Sequence, residues 1–357
     1  MKLFAINTPC WTELSPQGLS NDELFSSHLS EHFTFLYYNF MKYGLVDEVF
    51  VFLEEKRWRD SGPFSEKKLE TEYGTISLFK ESQKYDIINS HDDGYIYCQT
   101  DWENCKNFED KFCLVNPMFS GYQFQNVLKK GIHDYALIEG EYYSRFLPDW
   151  VPFDVLRYIT YDCTPENIKN RPEKKYDWIM VSSFAPRKRH LEFLESLEGT
   201  PLEKSRGCII GRNPDNKKRY WEGHTVLEKI KKKQKDYNFD IFLNATQEQK
   251  IDLLLKSKVF VCVSALDNGP RAQIEAAQLR IPILSMPHIG SSDVVIPNKN
   301  GELIKSISEV PNILNNMLIK NNSYDCKIND KILDPDKFMP KIIENIKRKK
   351  NENISYI

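Results

Sequence analysis

Short apolar runs alternate with longer amphipathic stretches along most of the chain. This alternation is typical of an α/β protein whose parallel strands are buried between helices. In the first half, four apolar runs predict strands: Leu3–Ile6, Val49–Leu53, Asp86–Asn89 and Tyr135–Glu139. The aromatic-rich stretch Phe25–Tyr43 predicts a helix that ends at Gly44, a residue suited to a helix C-cap. Segments 55–80 and 92–115 have no clear periodicity.

A polar segment with two prolines, Thr164–Lys175, predicts a linker. Beyond it the alternation is clearer and predicts a Rossmann-like domain with a parallel sheet. Its expected strands are Trp178–Val181, Cys208–Ile210, Asp240–Leu243, Val259–Val263 and Ile281–Ser285. Its expected helices are His190–Leu197, a charged helix within 217–236, Gln247–Ser257 and Arg271–Leu279. A final basic helix is expected over Asp336–Lys350.

The length of 357 residues favours more than one domain. We expect an N-terminal Rossmann-like domain over 1–165, a second one over 175–330, and a terminal segment, 331–357, that contains the final basic helix. The fold class is therefore α/β, with two Rossmann-like domains that face each other across a cleft. Ligands of open α/β sheets bind beyond the carboxyl ends of the strands, so functional side chains are expected on the loops that follow strands.

The charge balance argues against a protein that is held on nucleic acid by bulk charge, because 49 basic and 51 acidic residues give a formal net charge of −2. One local run, 217–235, is strongly basic. A solvated helix face is the preferred interpretation of this run. A peripheral contact with a membrane surface and a nucleic-acid acceptor are the alternatives left open.

The first residues lack the basic and apolar regions of a secretion signal, and we find no apolar run long enough to span a bilayer. A cytoplasmic location is therefore expected. The eight cysteines are dispersed and include no CxxC pair, which argues against a zinc site, and no metal or other cofactor is expected. Cys208 and Cys262 lie in apolar runs and are expected to be buried free thiols.

The segment after the strand at 259–263 combines a polar loop with a helix start. Gly269 allows a ligand to approach the backbone closely, and Pro270 suits the first helical turn because its missing N–H is not needed there. The free N–H groups of the helix start attract a phosphate, and Arg271 could add a charged hydrogen bond. These features predict an anion site.

Two carboxylates bracket this expected anion site, Asp267 before the helix and Glu275 within it. Carboxylates accept hydrogen bonds from vicinal hydroxyls, so a ribose or hexose is a natural partner. The alternative from the residues alone is that Asp267 caps the helix and Glu275 is an exposed charge. Lys188 lies between Arg187 and Arg189 at another expected helix start, where such a cluster favours a bound anion.

Five blocks in order resemble the retaining glycosyltransferases of family four, which have the GT-B fold. DNGPRAQIEAAQLRIPIL resembles the family's E-x7-E motif followed by "EAMAxGxPV", with Asp267 at the first acidic position and Glu275 at the second. MVSSFAPRKRHLEFLESL is similar to "VGRLxPEKGxxxLIxA", and CIIGRNP is similar to "xIxGxGP". The segments DIFLNATQEQKIDLLLKSKVFVCVSA and PHIGSSDVVIPNKNGELI resemble the remaining two blocks.

The resemblance implies donor-binding roles for residues of these blocks. Lys188 takes the position of the lysine that binds the donor diphosphate, and Asn268 and the 269–271 loop belong to the motif. Ser183 stands where the family has an arginine, and Arg187, Arg189 or Arg212 could take over the role of that arginine. Arg189 itself stands where the family has a glycine. Gly211 matches the glycine block. The terminal segment 331–357 resembles the last helix of the GT-B fold, which crosses back to the first domain. In the first domain, His91 is carried over as a donor-sugar contact, with an ordinary surface histidine as the alternative, and Gly18 as part of a phosphate-facing loop.

The function implied is transfer of a sugar from a nucleotide-sugar donor to a glycan, a lipid-linked sugar or another hydroxyl, with retention and without a metal. Glu275 would hold the ribose, Lys188 and the helix start the diphosphate, and Asp267 and Asn268 the donor sugar. A GT-B epimerase or phosphorylase and a non-catalytic sugar-nucleotide-binding protein are the alternatives. A dinucleotide-dependent oxidoreductase is disfavoured because no expected strand precedes G-x-G-x-x-G.

Overall fold

The computed structural model describes residues 1–6, 32–53, 68–98, 105–108, 110–117, 128–157, 159, 163, 171–214, 221–267, 269–320 and 323–354. The chain forms two compact units. The first comprises residues 1–139, 143–162 and 334–357, and the second comprises residues 140–142 and 163–333.

The first unit contains an eight-stranded sheet in the order β3-β4-β2-β1-β5-β6-β7-β8, parallel except for the antiparallel pair β3-β4. Its strands are β1 (Lys2–Ile6), β2 (Glu48–Leu53), β3 (Lys68–Thr71), β4 (Gly74–Lys80), β5 (Tyr95–Cys98), β6 (Phe112–Val115), β7 (Tyr135–Ile138) and β8 (Phe153–Val155). Its helices are α1 (His32–Lys42), α2 (Lys84–Asn89) and the terminal Pro335–Ile354.

Both faces of this sheet are covered, as the alternating side chains of β1 illustrate. Leu3 and Ala5 belong to a core with α1 and the terminal helix, whereas Phe4 and Ile6 face a second core on the other side. Burial on both faces explains why the strands are continuous apolar runs. Gly44 has a φ of 71° and ends α1, which confirms the expected C-cap.

One strand expected in this unit is wrong, because Asp86–Asn89 lies in α2 and only Ile88 of that run is buried on the helix. A short apolar run does not distinguish a strand from one turn of helix. The segments without clear periodicity supply β3, β4, β5 and β6. The strand at Leu3–Ile6 is confirmed, and residues 25–31 of the first expected helix lie outside the described part of the chain.

The second unit contains an all-parallel sheet of six strands in the order β11-β10-β9-β12-β13-β14. Its strands are β9 (Tyr176–Val181), β10 (Gly207–Gly211), β11 (Phe239–Leu243), β12 (Ser257–Cys262), β13 (Ile283–Ser285) and β14 (Gly301–Leu303). Its helices are α3 (His190–Ser196), α4 (Trp221–Lys233), α5 (Gln247–Leu255), α6 (Arg271–Gln278), α7 (Val310–Ile319) and α8 (Asn329–Ile332), and the terminal Pro335–Ile354 is α9. Short 3-10 helices span Glu81–Gln83, Glu141–Phe146, Pro186–Lys188, Gly290–Val294, Ile307–Glu309 and Cys326–Ile328.

The strand order of this unit, counted from β9 as the first, is 3-2-1-4-5-6, the order of a doubly wound Rossmann sheet. The α/β class with two parallel-sheet domains is therefore confirmed. Cys208 and Cys262 are buried free thiols as expected, and burial raises the pKa of Cys208 to about 12 and that of Cys262 to about 11.

The basic helix α4 packs Val226, Leu227 and Ile230 into the core. Two of its lysines pair with acidic neighbours, Lys231 with Glu228 and Lys233 with two glutamates of the α3 region. These contacts are those of a solvated surface helix. No helix in the described ranges is both long and apolar enough to cross a bilayer.

Candidate functional site

The carboxyl ends of β9 and β12 adjoin each other at the point where the strand order of the second sheet reverses. β9 pairs with β10 on one side and with β12 on the other. Loops at such a point run to opposite sides of the sheet and leave a crevice, which is where doubly wound sheets bind ligands. The sequence block that contains Lys188 follows β9, and the block that contains Asp267 follows β12.

Lys188 is held in a short 3-10 turn, Pro186–Lys188, directly after the loop that follows β9. Its side chain is only 10% exposed, and Nζ donates a hydrogen bond to Oδ2 of Asp267, which follows β12. The two loops are also joined through their backbones, since Ala265 N–H donates to the Arg187 carbonyl at 2.7 Å. The fold therefore brings Lys188 and Asp267, 79 residues apart in the chain, into one ion pair.

The helix α6 begins beside this ion pair. Arg271 is its first residue and Pro270 is the residue before it, so the expectation that Pro270 lies in the first turn is wrong by one position. Among the residues that the structure describes, no side chain caps the helix start. Gly269 and Pro270 are half-buried, Arg271 is exposed, and Asn268 lies outside the described residues. The uncapped N–H groups give this end of α6 a positive potential.

Glu275, in the second turn of α6, is 2% exposed, which excludes the alternative of an exposed helical charge. Lys250 Nζ donates to its Oε1 at 2.7 Å, and Gln247 Nε2 lies 3.3 Å from the same oxygen. Both partners belong to α5, which follows β11 along the chain. A buried carboxylate requires such partners, because an unpaired charge is costly away from water.

Lys250 and Gln247 are site residues that the sequence reasoning missed. A signal for their helix exists, because Thr246 and Gln249 form a capping box. Thr246 Oγ1 accepts from Gln249 N–H at 3.2 Å, and Gln249 Oε1 accepts from Thr246 N–H at 3.0 Å. The pattern T-x-x-Q before an apolar run predicts this helix start, although not the contact with Glu275.

The remaining residues of the second unit that the resemblance singled out lie at the same edge of the sheet. Gly211 ends β10, and a Cβ there would come within 2.5 Å of the Phe184 ring, so close packing alone accounts for a glycine. Ser183, Arg187 and Arg212 are exposed on the loops after β9 and β10. Their exposure leaves them accessible to a ligand.

His91 lies at a different kind of position. It follows α2 rather than a strand, and its Nε2 is 3.3 Å from Nζ of Lys2, the first residue of β1. Its ring packs on Phe4 and Phe50. It is therefore at the amino ends of β1 and β2, not at the carboxyl edge where it was expected, because the premise of a preceding strand was wrong. Gly18 lies outside the described residues.

His190, the first residue of α3, supports the loop that carries Lys188. It is 1% exposed, its Nε2 lies 3.0 Å from Ser182 Oγ, and its ring packs on Phe184. Burial, and secondly the charge of Lys188, lower the pKa of His190 to about 3. Its Nδ1 has no hydrogen-bond partner among the described residues, so the structure suits the neutral ring.

This buried histidine predicts a dependence of stability on pH. In the unfolded chain the imidazole of His190 takes up a proton near pH 6.5, whereas in the folded protein its pKa is about 3. Between these two pH values the unfolded state binds more protons, so the free energy of unfolding falls as the pH drops through this window. The slope from one such group is at most about 1.4 kcal/mol per pH unit. Urea unfolding of the wild type and of His190→Gln between these limits measures it, and an equal slope in both would contradict the prediction.

The arrangement at the carboxyl edge suits a ligand that carries both anionic and hydroxyl groups. Lys188, Arg187 and the start of α6 offer positive charge, whereas Asp267 and Glu275 offer acceptors for hydroxyls. Diphosphates attached to sugars combine these two kinds of group.

Comparison with known families matches residues 165–314 to the model described as glycosyl transferases group 1. No curated relative matches the sequence. Among solved structures, HepE of Anabaena in complex with UDP and glucose is 13% identical, with a TM-score of 0.59 and coverage of 100% of this chain and 99% of that chain.

Two further structures cover nearly the whole chain. Sucrose-phosphate synthase of Thermosynechococcus elongatus has a TM-score of 0.61 at 10% identity, with coverage of 100% of this chain and 99% of that chain. A glycosyltransferase of Rickettsia africae has a TM-score of 0.63 at 9% identity, with coverage of 98% of both chains. Residues 165–314 thus match the group 1 glycosyl transferases, and the chain as a whole has the two-domain fold of the GT-B glycosyltransferases.

Proposed function

We propose that the chain transfers a sugar from a nucleotide-sugar donor to an acceptor hydroxyl, and that the donor binds to the second unit. The observation that carries this proposal is the ion pair of Lys188 with Asp267 beside the start of α6. It lies at the ligand-binding edge of a Rossmann sheet, within the segment that matches the group 1 glycosyl transferases.

Two backbone conformations support the alignment with the family motifs. Arg189 and Arg280 have φ values of 56° and 55°, in the left-handed region that favours glycine. They stand at the positions where the quoted motifs "PEKG" and "EAMAxG" have glycine. Because non-glycine residues are uncommon in this region, the coincidence at both positions supports the register that assigns roles to Lys188 and Glu275.

The proposed roles follow from position and charge. The carboxylate of Glu275 binds the ribose hydroxyls, and Lys188 with the 269–271 loop binds the diphosphate. Asp267 accepts hydrogen bonds from hydroxyls of the transferred sugar, and the amide of Asn268 both accepts and donates them. Lys188 and Asp267 pair with each other in this structure. A donor that contacts both residues leaves neither the cation nor the carboxylate without a partner when water leaves the site.

The proposed reaction exchanges one bond for another at the anomeric carbon. The bond from this carbon to the diphosphate oxygen breaks, the acceptor oxygen forms a new bond on the same face, and the acceptor proton passes to the departing phosphate. Negative charge grows on the diphosphate as it leaves. Lys188 and the N–H groups of α6 stabilise that charge more in the transition state than in the bound donor, without an added divalent metal.

The choice of donor base is guided by a related fold. HepE is similar in fold and was solved with UDP and with UDP-glucose. Uracil is therefore the first donor base to test, with UDP and UDP-sugars as the ligands. The acceptor is proposed to be a glycan, a lipid-linked sugar or another hydroxyl compound.

A thermal-shift panel tests the proposal. Purified protein is mixed with UDP, GDP, ADP, CMP, the corresponding nucleotide sugars or NAD, without added metal. A ligand at 100-fold its Kd stabilises the folded state by about 2.7 kcal/mol, which gives a measurable rise in melting temperature. We expect a rise with one nucleoside diphosphate and its sugars.

Product analysis then separates the possible activities. Consumption of the responding nucleotide sugar only when an acceptor is present supports transfer. Release of a sugar phosphate or of an epimer without an acceptor would indicate a phosphorylase or an epimerase instead. A response to NAD alone, or to no nucleotide, would overturn the proposal.

A further inference from the structure

Three cysteines and one histidine of the first unit converge in its interior. Cys98 ends β5, Cys113 lies in β6, Cys105 lies between these strands in the chain, and His133 precedes β7. The four potential ligand atoms lie within 4.8 Å of one another. All four residues are at most 2% exposed. The spacing along the chain, which lacks a CxxC pair, did not reveal this cluster.

The separation of the sulfurs suits a single metal ion. Sγ of Cys98 and Sγ of Cys113 are 3.8 Å apart. A tetrahedral zinc ion with Zn–S bonds of about 2.3 Å holds two sulfurs roughly 3.8 Å apart. A disulfide would bring the same sulfurs to about 2.05 Å, so the cysteines are not placed as an oxidised pair. Three thiolates and one imidazole are a ligand set of structural zinc sites.

The imidazole of His133 offers an independent indication. Its Nε2 is buried and has no hydrogen-bond partner among the described residues. Its Nδ1 accepts a hydrogen bond from the Lys129 N–H at 2.9 Å. A metal-bound neutral imidazole carries its proton on the other nitrogen. Coordination through Nε2 therefore requires that Nδ1 take up the proton and give up the Lys129 hydrogen bond.

We propose that Cys98, Cys105, Cys113 and His133 bind one structural zinc ion. With four protein ligands the coordination is complete, so no position remains for a reacting water or substrate. On binding, each of the three thiols releases its proton to solvent, and no electron transfer is involved. The ion would tie β5 and β6 to the segment before β7, and the proposal does not depend on the proposed function.

Metal analysis of the purified full-length chain tests this proposal. Protein prepared with a thiol reductant and without chelators is analysed for zinc by mass spectrometry, and release is followed with a zinc-sensitive dye after a thiol-blocking mercurial is added. We expect about one zinc ion per chain. Strong chelation is expected to lower the melting temperature, because binding to the folded state alone stabilises it.

Cys113→Ser is expected to lose the zinc, whereas the matched variant Cys208→Ser, which replaces a buried free thiol of the second unit, is expected to keep it. If Cys113→Ser does not fold, the wild type is freed of zinc by chelation, cobalt is added, and the visible absorption spectrum is recorded in place of the variant experiment. We then expect the intense visible bands of tetrahedral thiolate-bound cobalt. Wild type free of zinc that gives no such bands, a Cys98–Cys113 disulfide in reductant-treated protein, or equal zinc in both variants would overturn the proposal.

Discussion

Replacement of Lys188 by methionine is expected to lower kcat/KM for sugar transfer by about 100- to 1,000-fold, the typical effect of removing one group that stabilises transition-state charge. Methionine keeps the length of the side chain but removes the cation that Asp267 now pairs with. The affinity for UDP should also fall, because UDP carries the diphosphate that Lys188 is proposed to bind. Steady-state kinetics and calorimetric titration with UDP measure the two effects.

The matched control is Asp267→Asn, which removes the other half of the same ion pair. It frees Lys188 for the diphosphate, so UDP affinity should be unchanged or higher while turnover falls. The two variants are therefore expected to change UDP affinity differently. If both weakened UDP binding alike and lowered the melting temperature alike, the ion pair would have only a structural role.

Replacement of Glu275 by alanine is expected to weaken UDP binding by about 10- to 150-fold, the equivalent of about 1.5–3 kcal/mol for hydrogen bonds to a charged group. The expected cause is the loss of the acceptor for the two ribose hydroxyls. The wild type should therefore bind 2′,3′-dideoxy-UDP more weakly than UDP, whereas Glu275→Ala should bind both nearly equally. Calorimetric titration of each protein with the two nucleotides measures the difference.

This substitution is also expected to reduce stability, because Glu275 is buried and paired with Lys250. Lys250→Met breaks the same pair from its more exposed side and retains the carboxylate. It should lower the melting temperature as well but keep the preference for UDP over the dideoxy compound. A preference lost equally in both variants would contradict the ribose role of Glu275.

The second unit as far as β13 could be predicted closely from the sequence because its strands are buried on both faces, whereas β14, α7 and α8 were not expected. Continuous apolar runs such as Val259–Val263 then separate clearly from the amphipathic helices, and observed β12 (Ser257–Cys262) differs only at its ends. The first unit was harder. Polar edge strands such as β3 lack an apolar run, and the two isoleucines of Asp86–Asn89 fit either a strand or the helix that forms.

For the candidate site too, one part could be predicted from the sequence and another could not. The loops after β9 and β12 could be predicted to hold Lys188 and Asp267, because loops that follow parallel strands share one edge of the sheet. Their direct ion pair, and the burial of Glu275 against Lys250, depend on the packing of helices and could not be inferred from spacing. His91 was misassigned for a local reason, since its position depended on the one strand that is a helix.

Hydrogen–deuterium exchange with and without the nucleoside diphosphate that gives the largest thermal shift is the most direct test of the donor site. Bound ligand should slow amide exchange in residues 183–190 and 265–278, which contain Lys188, Asp267 and Glu275. Protection confined to these segments in the wild type, and lost in Glu275→Ala, is the predicted result. Protection confined to the first unit, or no protection by any nucleotide, would contradict a donor site on the second unit.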